Sequence, residues 1–198
     1  MLIAGAGNLG KHCLDMLLYD KCEERICFFD DNPSLPEHLY GRYPVLKTVE
    51  SLIAFFNTEG HSFIAAVGNN RMREKMVLRM EALGGRLVSL VSSRAYISPL
   101  LSLSDSVIVQ PGAALAHEIR MGKCCTIHAN SVVGHDVVMG NYVSVASLST
   151  LIGPCIIGDY SFIGTNAVVH PGLRIGKNCY IGSGVVVRED FPDHGTLV

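Results

Sequence analysis

The chain has 198 residues, a mass of 21.4 kDa, 48% hydrophobic residues and a net charge of −2, which exclude wholesale disorder and argue against nucleic acid as a main partner. No apolar run approaches the roughly 20 residues of a membrane span and no signal peptide precedes the first strand, so we expect a cytoplasmic protein without a membrane partner. Seven cysteines without a C-x-x-C pair predict reduced thiols rather than a zinc site or a disulfide framework.

Short apolar strands alternate with helical patterns in the first ninety-odd residues. The predicted order is a strand in MLIAGAG, a helix over 11–19, a strand in RICFFDD, a helix over 48–56, a strand in SFIAAVGNN, a helix over 71–83 and a fourth strand in RLVSLV. The last helix runs into Gly84-Gly85, a common helix stop. Strand–helix alternation predicts a parallel sheet covered by helices, so we expect residues 1–92 to form an α/β domain.

The second half of the chain follows a six-residue period. Apolar residues recur without a break at 91, 97, 103, 109, 115, 121, 127, 133, 139, 145, 151, 157, 163, 169, 175, 181 and 187. Residues two apart on a strand share a face, so each six-residue unit sends two side chains inward and then turns a corner. Three units close one triangular coil, and stacked coils bury a continuous core. Residues 93–198 are therefore predicted to form a parallel β-helix.

A glycine-rich turn lies between the first strand and the first helix. GAGNLG, from Gly5 to Gly10, has the strand–turn–helix context that a phosphate-binding turn requires. The acidic pair Asp30-Asp31 ends the next strand, where it could accept hydrogen bonds from a ribose or a sugar. Only about four strands are predicted here, against two mononucleotide-binding halves in a full dinucleotide fold, so a nucleotide-sugar site fits better than a dinucleotide site.

The whole chain resembles the NeuD/sugar O-acyltransferase family and its nucleotide-aminosugar N-acetyltransferases. The resemblance is carried by GAGNLG, FFDD, AAVGNN, SSRAYISP, VVGHDVVMG and the terminal VVHPGLRIGKNCYIGSGVVVRED. It implies a Rossmann-like half domain at the amino terminus followed by a β-helix of left-handed type. It also implies a homotrimer, with acetyl-CoA as co-substrate, no metal, and a role in bacterial surface polysaccharide (lipopolysaccharide O-antigen) or glycoprotein glycan synthesis.

The same resemblance assigns site residues. Matching positions make His135 the general base with Asp136 as its acidic partner, and imidazole suits this role because it titrates near neutrality. The nucleotide-linked sugar would be bound by Gly7, Asn8, Leu9, Asp30, Asp31 and Gly68. Acetyl-CoA would be bound between neighbouring β-helices by Ser144, Gly153, Thr165 and Ser183.

Direct contact between His135 and Asp136 requires a corner conformation, because neighbouring side chains on a regular strand point to opposite faces. His117 lies eighteen residues before His135, one coil below it, and Gly153 lies one coil above, where it would leave space for the thioester. A supporting role for His128 stays open, and His117 is interpreted as structural.

The expected reaction is acetyl transfer from acetyl-CoA to the 4-amino group of a nucleotide-linked deoxyaminosugar. The alternative within the family is O-acetylation of a sugar such as sialic acid, with the same base. Two further alternatives belong to other classes. One is a metal-dependent hydratase of the gamma-class carbonic anhydrase type, but the spacing of His117, His128 and His135 does not match the close histidine pair of that family. The other is a non-catalytic trimer that binds nucleotide sugars.

Overall fold

Parallel strands joined by helices make up the first of the two units into which the chain divides, Met1–Val88 and Ser89–Val198. The computed structural model describes residues 1–104 and 106–198. The elements of the first unit are β1 (Leu2–Ala4), α1 (Asn8–Tyr19), β2 (Cys27–Phe29), β3 (His38–Leu39), β4 (Tyr43–Leu46), α2 (Val49–Glu59), β5 (Ser62–Ala65), α3 (Asn70–Ala82) and β6 (Arg86–Leu87). They form a sheet of order β3-β4-β2-β1-β5-β6, parallel except between β3 and β4, with fully buried β1 near its centre.

The three predicted helices are confirmed, and their starts follow from their caps. The Thr48 hydroxyl accepts a hydrogen bond from the Ser51 amide (3.2 Å) at the start of α2, and the Asn69 side chain accepts one from the Met72 amide (3.0 Å) at the start of α3. Gly7 is the N-cap of α1 and has no side chain to do this. Helix α1 begins at Asn8, earlier than predicted, because the Lys11 amide already bonds the Gly7 carbonyl at 3.0 Å.

The hairpin of β3 and β4 was not predicted from the sequence. Its turn is made by Tyr40 and Gly41, both with positive φ (52° and 64°), and the Arg42 amide closes it on the Leu39 carbonyl at 3.1 Å. Two positive φ values are typical of the tight hairpin turn that matches the twist of the strands. The glycine after Tyr40 is the sequence signal that could have indicated it.

The prediction of a single fourth strand in RLVSLV is wrong, because this segment forms two short strands. Its first part, Arg86–Leu87, pairs with β5, and the Val88 amide bonds the Phe63 carbonyl at 2.9 Å. Its second part, Leu90–Val91, pairs with a strand of the β-helix, where the Leu90 amide bonds the Val107 carbonyl at 2.8 Å. Each half of the segment is hydrogen-bonded by a different sheet, so the chain passes from one unit to the other within it.

Three sheets form the second unit, and we call them faces A, B and C. Face A contains β7 (Leu90–Val91), β9 (Ile108–Val109), β12 (Thr126–Ile127), β15 (Ser144–Val145), β18 (Phe162–Ile163), β21 (Tyr180–Ile181) and β23 (Thr196–Leu197). Face B contains β8 (Tyr96–Ile97), β10 (Ala114–Leu115), β13 (Val132–Val133), β16 (Thr150–Leu151), β19 (Val168–Val169) and β22 (Val186–Val187). Face C contains β11 (Arg120–Met121), β14 (Val137–Met139), β17 (Cys155–Ile157) and β20 (Arg174–Ile175).

The predicted triangular coil is confirmed by the register of these strands. Ala114 pairs with Val132, Val132 with Thr150 and Thr150 with Val168, so equivalent positions lie eighteen residues apart. The last coil is shorter, because Tyr180 pairs with Thr196. Every predicted six-residue position lies in one hydrophobic core, and only those early in the unit, Val91, Ile97, Leu103 and Met121, are partly exposed.

The corners of the coil also repeat every six residues. Residues at this position have positive φ and are Gly112, Glu118, Cys124, Asn130, Asp136, Tyr142, Leu148, Tyr160, Asn166, Gly172, Asn178 and Gly184. Pro154 occupies the one intervening position of the series, and the proline ring fixes φ at a negative value. The left-handed backbone is costly for side chains other than glycine, asparagine and aspartate. Asp136, with φ of 57°, occupies one of these corner positions, so its place at a corner follows from the six-residue repeat.

Candidate active site

His135 and Asp136 form a hydrogen-bonded pair at the corner between faces B and C. The positive φ of Asp136 turns both side chains outward, so that His135 Nδ1 lies 2.7 Å from Asp136 Oδ2. About half of each side chain is exposed (52% and 49%). The hydrogen bond from His135 lowers the pKa of the Asp136 carboxyl, which therefore stays ionised at neutral pH. A carboxylate only accepts, so Nδ1 carries the hydrogen and Nε2 is left with a lone pair that can take a proton.

Two shallow depressions meet at Asp136. Asp136 borders both, one shared with Glu118 and Arg120 and the other with Cys155 and Arg174. Both lie along the outer side of face C, where Val138 is also shared. The Asp136 side of the corner therefore borders concave surface, in which a ligand could be held.

Gly153 lies one coil above His135, as predicted, but the reason for its glycine differs from the one expected. A Cβ at this position would overlap the His135 carbonyl oxygen and lie 3.2 Å from the His135 amide nitrogen. The space that a side chain would need is thus occupied by backbone rather than left open for a thioester. Glycine at 153 lets the two coils approach and so fixes the height of the His135 backbone.

The residues predicted to bind acetyl-CoA do not share one environment. Thr165 and Ser183 are exposed and stacked at the corner between faces A and B, where the Gly184 amide bonds the Thr165 carbonyl at 2.8 Å. Ser144, by contrast, is only 1% exposed, and its hydroxyl accepts a hydrogen bond from the Thr126 hydroxyl at 2.9 Å. Burial of this kind prevents direct contact between Ser144 and a ligand on the protein surface.

The glycine turn of the first unit is tightly packed. Gly5 has φ of 111°, and a Cβ there would lie 2.6 Å from the Ala66 carbonyl oxygen, while a Cβ on Gly10 would overlap the Gly5 carbonyl. Gly7, Asn8 and Gly68 are exposed, and a Cβ on Gly7 or Gly68 would meet nothing within 4 Å. Open space beside an uncapped helix start is suitable for a phosphate.

Leu9 differs in burial from the other residues assigned to this site. Its side chain is buried (8% exposed) on the core side of α1, so only its backbone amide, in the first turn of the helix, can contribute to the predicted site.

The two acidic residues after β2 have different partners. Asp30 accepts hydrogen bonds from the Ala6 amide (2.9 Å) and the Asn32 amide (3.1 Å), so it fixes the glycine turn. Asp31 forms an ion pair with Arg79 of α3, with 2.6 Å between Arg79 Nη1 and Asp31 Oδ2. The Arg79 guanidinium also lies 5.1 Å from the centre of the Phe29 ring.

Two arginines beside this site were missed by sequence reasoning. Arg79 reaches Asp31 across 48 residues, and no local pattern indicates that contact. Arg73 is fully buried, and its guanidinium donates to the carbonyls of Val67 (3.0 Å) and Gly68 (3.2 Å). Arg73 therefore holds the loop that packs against Gly5.

His128 and His117 complete the predicted histidine set. His128 is half-buried and follows β12, at a corner between faces A and B, away from the His135 corner. His117 lies directly below His135, with ring centres 5.6 Å apart and an angle of 12° between the ring planes.

Within residues 1–104 and 106–198, no group of three or more histidine, cysteine, aspartate or glutamate residues is arranged to hold a metal ion. No helix in that same part of the chain has the length and apolarity to cross a membrane.

Family models match both units of the chain. The PglD N-terminal domain matches residues 1–80, and the bacterial transferase hexapeptide (six repeats) matches residues 154–189. No curated protein matches significantly by sequence.

Solved structures match almost the whole chain. A histidine-to-asparagine variant of perosamine N-acetyltransferase from Caulobacter crescentus, in complex with CoA and GDP-perosamine, is 28% identical with a TM-score of 0.89, over 97% of this chain and 90% of that one. The acetyltransferase domain of PglB from Neisseria gonorrhoeae is 27% identical with a TM-score of 0.88, over 98% and 94%. WeeI from Acinetobacter baumannii is 29% identical with a TM-score of 0.87, over 98% and 94%.

These likenesses extend over both units, so the predicted combination of a Rossmann-like amino-terminal part and a left-handed parallel β-helix is confirmed. The chain is an acetyltransferase, and over both units it is similar to sugar acetyltransferases of the NeuD/PglD type.

Proposed function

We propose that the protein transfers acetyl from acetyl-CoA to the 4-amino group of a nucleotide-linked deoxyaminosugar. The observation that carries the proposal is the 2.7 Å hydrogen bond between His135 Nδ1 and Asp136 Oδ2 at an exposed corner of the hexapeptide β-helix. It is supported by a likeness along the whole chain to an N-acetyltransferase crystallised with CoA and GDP-perosamine, and to an acetyltransferase domain crystallised with acetyl coenzyme A.

In the proposed reaction, the sugar amine attacks the thioester carbonyl carbon and the carbon–sulfur bond breaks. The nitrogen loses a proton to His135 Nε2, and the departing thiolate of CoA takes up a proton, so that the products are the acetamido sugar and CoA. Asp136 holds the imidazole in the tautomer that leaves Nε2 free to accept. Backbone amides would stabilise the tetrahedral oxyanion.

We propose that the amino-terminal domain, predicted from the sequence over residues 1–92, binds the nucleotide-linked sugar. Gly7 and Asn8 are exposed at the start of α1. Gly68 is exposed in the loop after β5 and Asp31 in the loop after β2, and these two strands flank β1 in the sheet. The helix start offers amide groups to a diphosphate, and a carboxylate accepts hydrogen bonds from ribose or sugar hydroxyls. Residues 93–198 would then carry the chemistry.

A panel assay tests the proposed function. Thiol release from acetyl-CoA is measured with UDP-, dTDP- and GDP-linked 4-amino sugars, with the matching 4-hydroxy sugars as controls and sialic acid as the O-acetylation substrate. We expect turnover of at least one 4-amino sugar and none of its 4-hydroxy counterpart. Turnover of sialic acid alone would establish O-acetylation instead, and tight nucleotide-sugar binding without turnover would establish a binding protein.

We further propose that the product enters bacterial surface polysaccharide synthesis, such as that of lipopolysaccharide O-antigen, in the cytoplasm. Nucleotide-linked sugars and acetyl-CoA are cytoplasmic metabolites. The seven cysteines form no disulfide in the part of the chain that the structure describes.

Asp31→Ala should raise the KM for the nucleotide sugar about tenfold and leave the KM for acetyl-CoA unchanged, because a hydrogen bond to a charged group is worth about 1.5–3 kcal/mol. Arg79→Gln is the matched control: it breaks the ion pair but keeps the Asp31 carboxylate, and exposed ion pairs contribute about 0–1 kcal/mol. Steady-state kinetics with each substrate varied in turn decide between them. Equal effects of both substitutions, or a comparable rise in both KM values, would refute direct binding by Asp31.

The proposed assembly is a homotrimer that packs through face B. The outward side chains of this face carry no charge and are Tyr96, Ala114, Val132, Thr150, Val168 and Val186. Tyr96, Val132 and Val186 are 62%, 43% and 40% exposed. Thr165 and His135 lie at opposite edges of this face, up to about 20 Å apart at about 3.3 Å per residue. We expect a second copy to supply the other wall of a groove that uses both, and cyclic closure gives equivalent sites.

Sedimentation at micromolar concentration should give a trimer for the wild type and a monomer of low activity for Val132→Asp, because the carboxylate would be buried without a partner. Leu78→Asp is the control, since Leu78 is an exposed apolar residue (57%) on α3. We expect it to remain trimeric. A fully active wild-type monomer at this concentration would refute the assembly.

A further inference from the structure

The His135–Asp136 pair has a counterpart one coil below. His117 and Glu118 occupy the equivalent positions eighteen residues earlier, and Glu118 has φ of 58° where Asp136 has 57°. The two dipeptides are in register, since the Asp136 amide bonds the His117 carbonyl at 3.4 Å. The lower pair is looser, because His117 Nδ1 lies 3.7 Å from Glu118 Oε2, beyond hydrogen-bond distance.

Few contacts hold the His135 ring. Half of the side chain is exposed, and its hydrogen bond to Asp136 fixes one nitrogen without fixing the ring plane. An exposed side chain with a single tether changes rotamer in picoseconds to nanoseconds. The coil above contributes no side chain at the equivalent position, because residue 153 is glycine.

The His117 ring supports His135 from below. The two rings are almost parallel, at 12°, with centres 5.6 Å apart, a separation at which aromatic rings attract in an offset stack. One side of the His135 ring is thus covered by an imidazole, and the other faces the position of a glycine. This arrangement restricts the ring plane from below, and no side chain at position 153 covers the ring from above.

We propose that His117 is a positioning residue, which holds the His135 ring by stacking so that Nε2 stays directed at the reacting nitrogen. The proposal rests on the proposed role of His135 as the base. It does not require His117 to exchange protons, since the looseness of the His117–Glu118 contact gives the lower ring no fixed tautomer. The proposed role requires only a flat ring at position 117, against which the His135 ring can stack.

Three substitutions separate stacking from other effects. His117→Ala removes the ring, and His117→Phe keeps a flat ring without nitrogens. His61→Ala is the matched control, because His61 also stacks on an aromatic ring, that of Phe56, with centres 5.5 Å apart at 23°, in the first unit. Each variant is measured for kcat and both KM values, and crystal structures of the His117 variants report the orientation of His135.

We expect His117→Ala to lower kcat about 3–10-fold with both KM values within about twofold of wild type, and His117→Phe to restore most of the loss. His61→Ala should match the wild type. The crystal structures should show a displaced or multiple His135 ring in His117→Ala and the wild-type orientation in His117→Phe.

Two results would overturn the proposal: an unchanged kcat in His117→Ala, or a loss in His117→Phe as large as that in His117→Ala. If the wild type transfers acetyl to no sugar, the proposed function fails, and the orientation of His135 in the two variants still decides whether His117 holds it.

Discussion

His135→Ala is expected to lower kcat by about 10²–10⁴-fold, the usual contribution of general-base catalysis. An alkylammonium has a pKa near ~10 and reacts with a thioester only after losing a proton. A sugar amine beside electron-withdrawing oxygens is less basic, but its nitrogen still has to lose a proton once it bonds to carbon. Because the imidazole acts on that nitrogen in the transition state, both KM values should change much less than kcat.

The measurement is steady-state acetyl transfer by the folded, trimeric variant under conditions in which chemistry limits the rate. A kcat above about a third of the wild-type value would show that His135 is not the base.

Asp136→Asn should lower kcat less than His135→Ala does, because it alters the hydrogen bonding of the imidazole without removing the imidazole. The lowered pKa of the Asp136 carboxyl, caused first by the hydrogen bond from His135, keeps the carboxylate ionised from neutral pH down to below its ordinary value of 3.8. The hydrogen bond that the ionised Asp136 accepts from His135 is therefore present at every pH above the lowered pKa of Asp136. It is lost only as the pH falls through that pKa.

The β-helix could be predicted closely because its signal is periodic. An apolar residue at every sixth position requires three short strands per coil, and the core formed at those positions, from Val109 to Val187. The same spacing put His117, His135 and Gly153 at equivalent positions in consecutive coils, as the register confirms. It did not indicate that the two imidazole rings stack, since ring orientation depends on the corner geometry rather than on spacing.

The amino-terminal unit was less predictable, because its decisive contacts join distant residues. Arg79 reaches Asp31 from the far end of α3, and Arg73 is buried against the loop after β5. Ser144 was assigned to acetyl-CoA by its match to the family, and its outward position on face A is buried. Whether the outer side of a β-helix face is covered is a tertiary property, so the six-residue pattern carries no information about it.

Gly153→Ala is expected to destabilise the protein by about 2–3 kcal/mol and to lower kcat at least about tenfold. The added Cβ would overlap the His135 carbonyl oxygen, a backbone atom that moves only if the coil shifts. Overpacking against backbone is costly because neither partner can change rotamer. A shift of about 1 Å at His135 would misalign Nε2 with the reacting nitrogen.

Gly172→Ala separates this overlap from a general effect of losing glycine. Gly172 has φ of 82° and nothing within 4 Å of an added Cβ, so alanine there meets only the backbone cost of about 1–2 kcal/mol. Thermal unfolding and kcat are measured for both variants. We expect the Gly172→Ala protein to keep most of its kcat and the Gly153→Ala protein to lose it. If Gly153→Ala retains wild-type kcat, the packing of residue 153 on His135 does not set the position of the base.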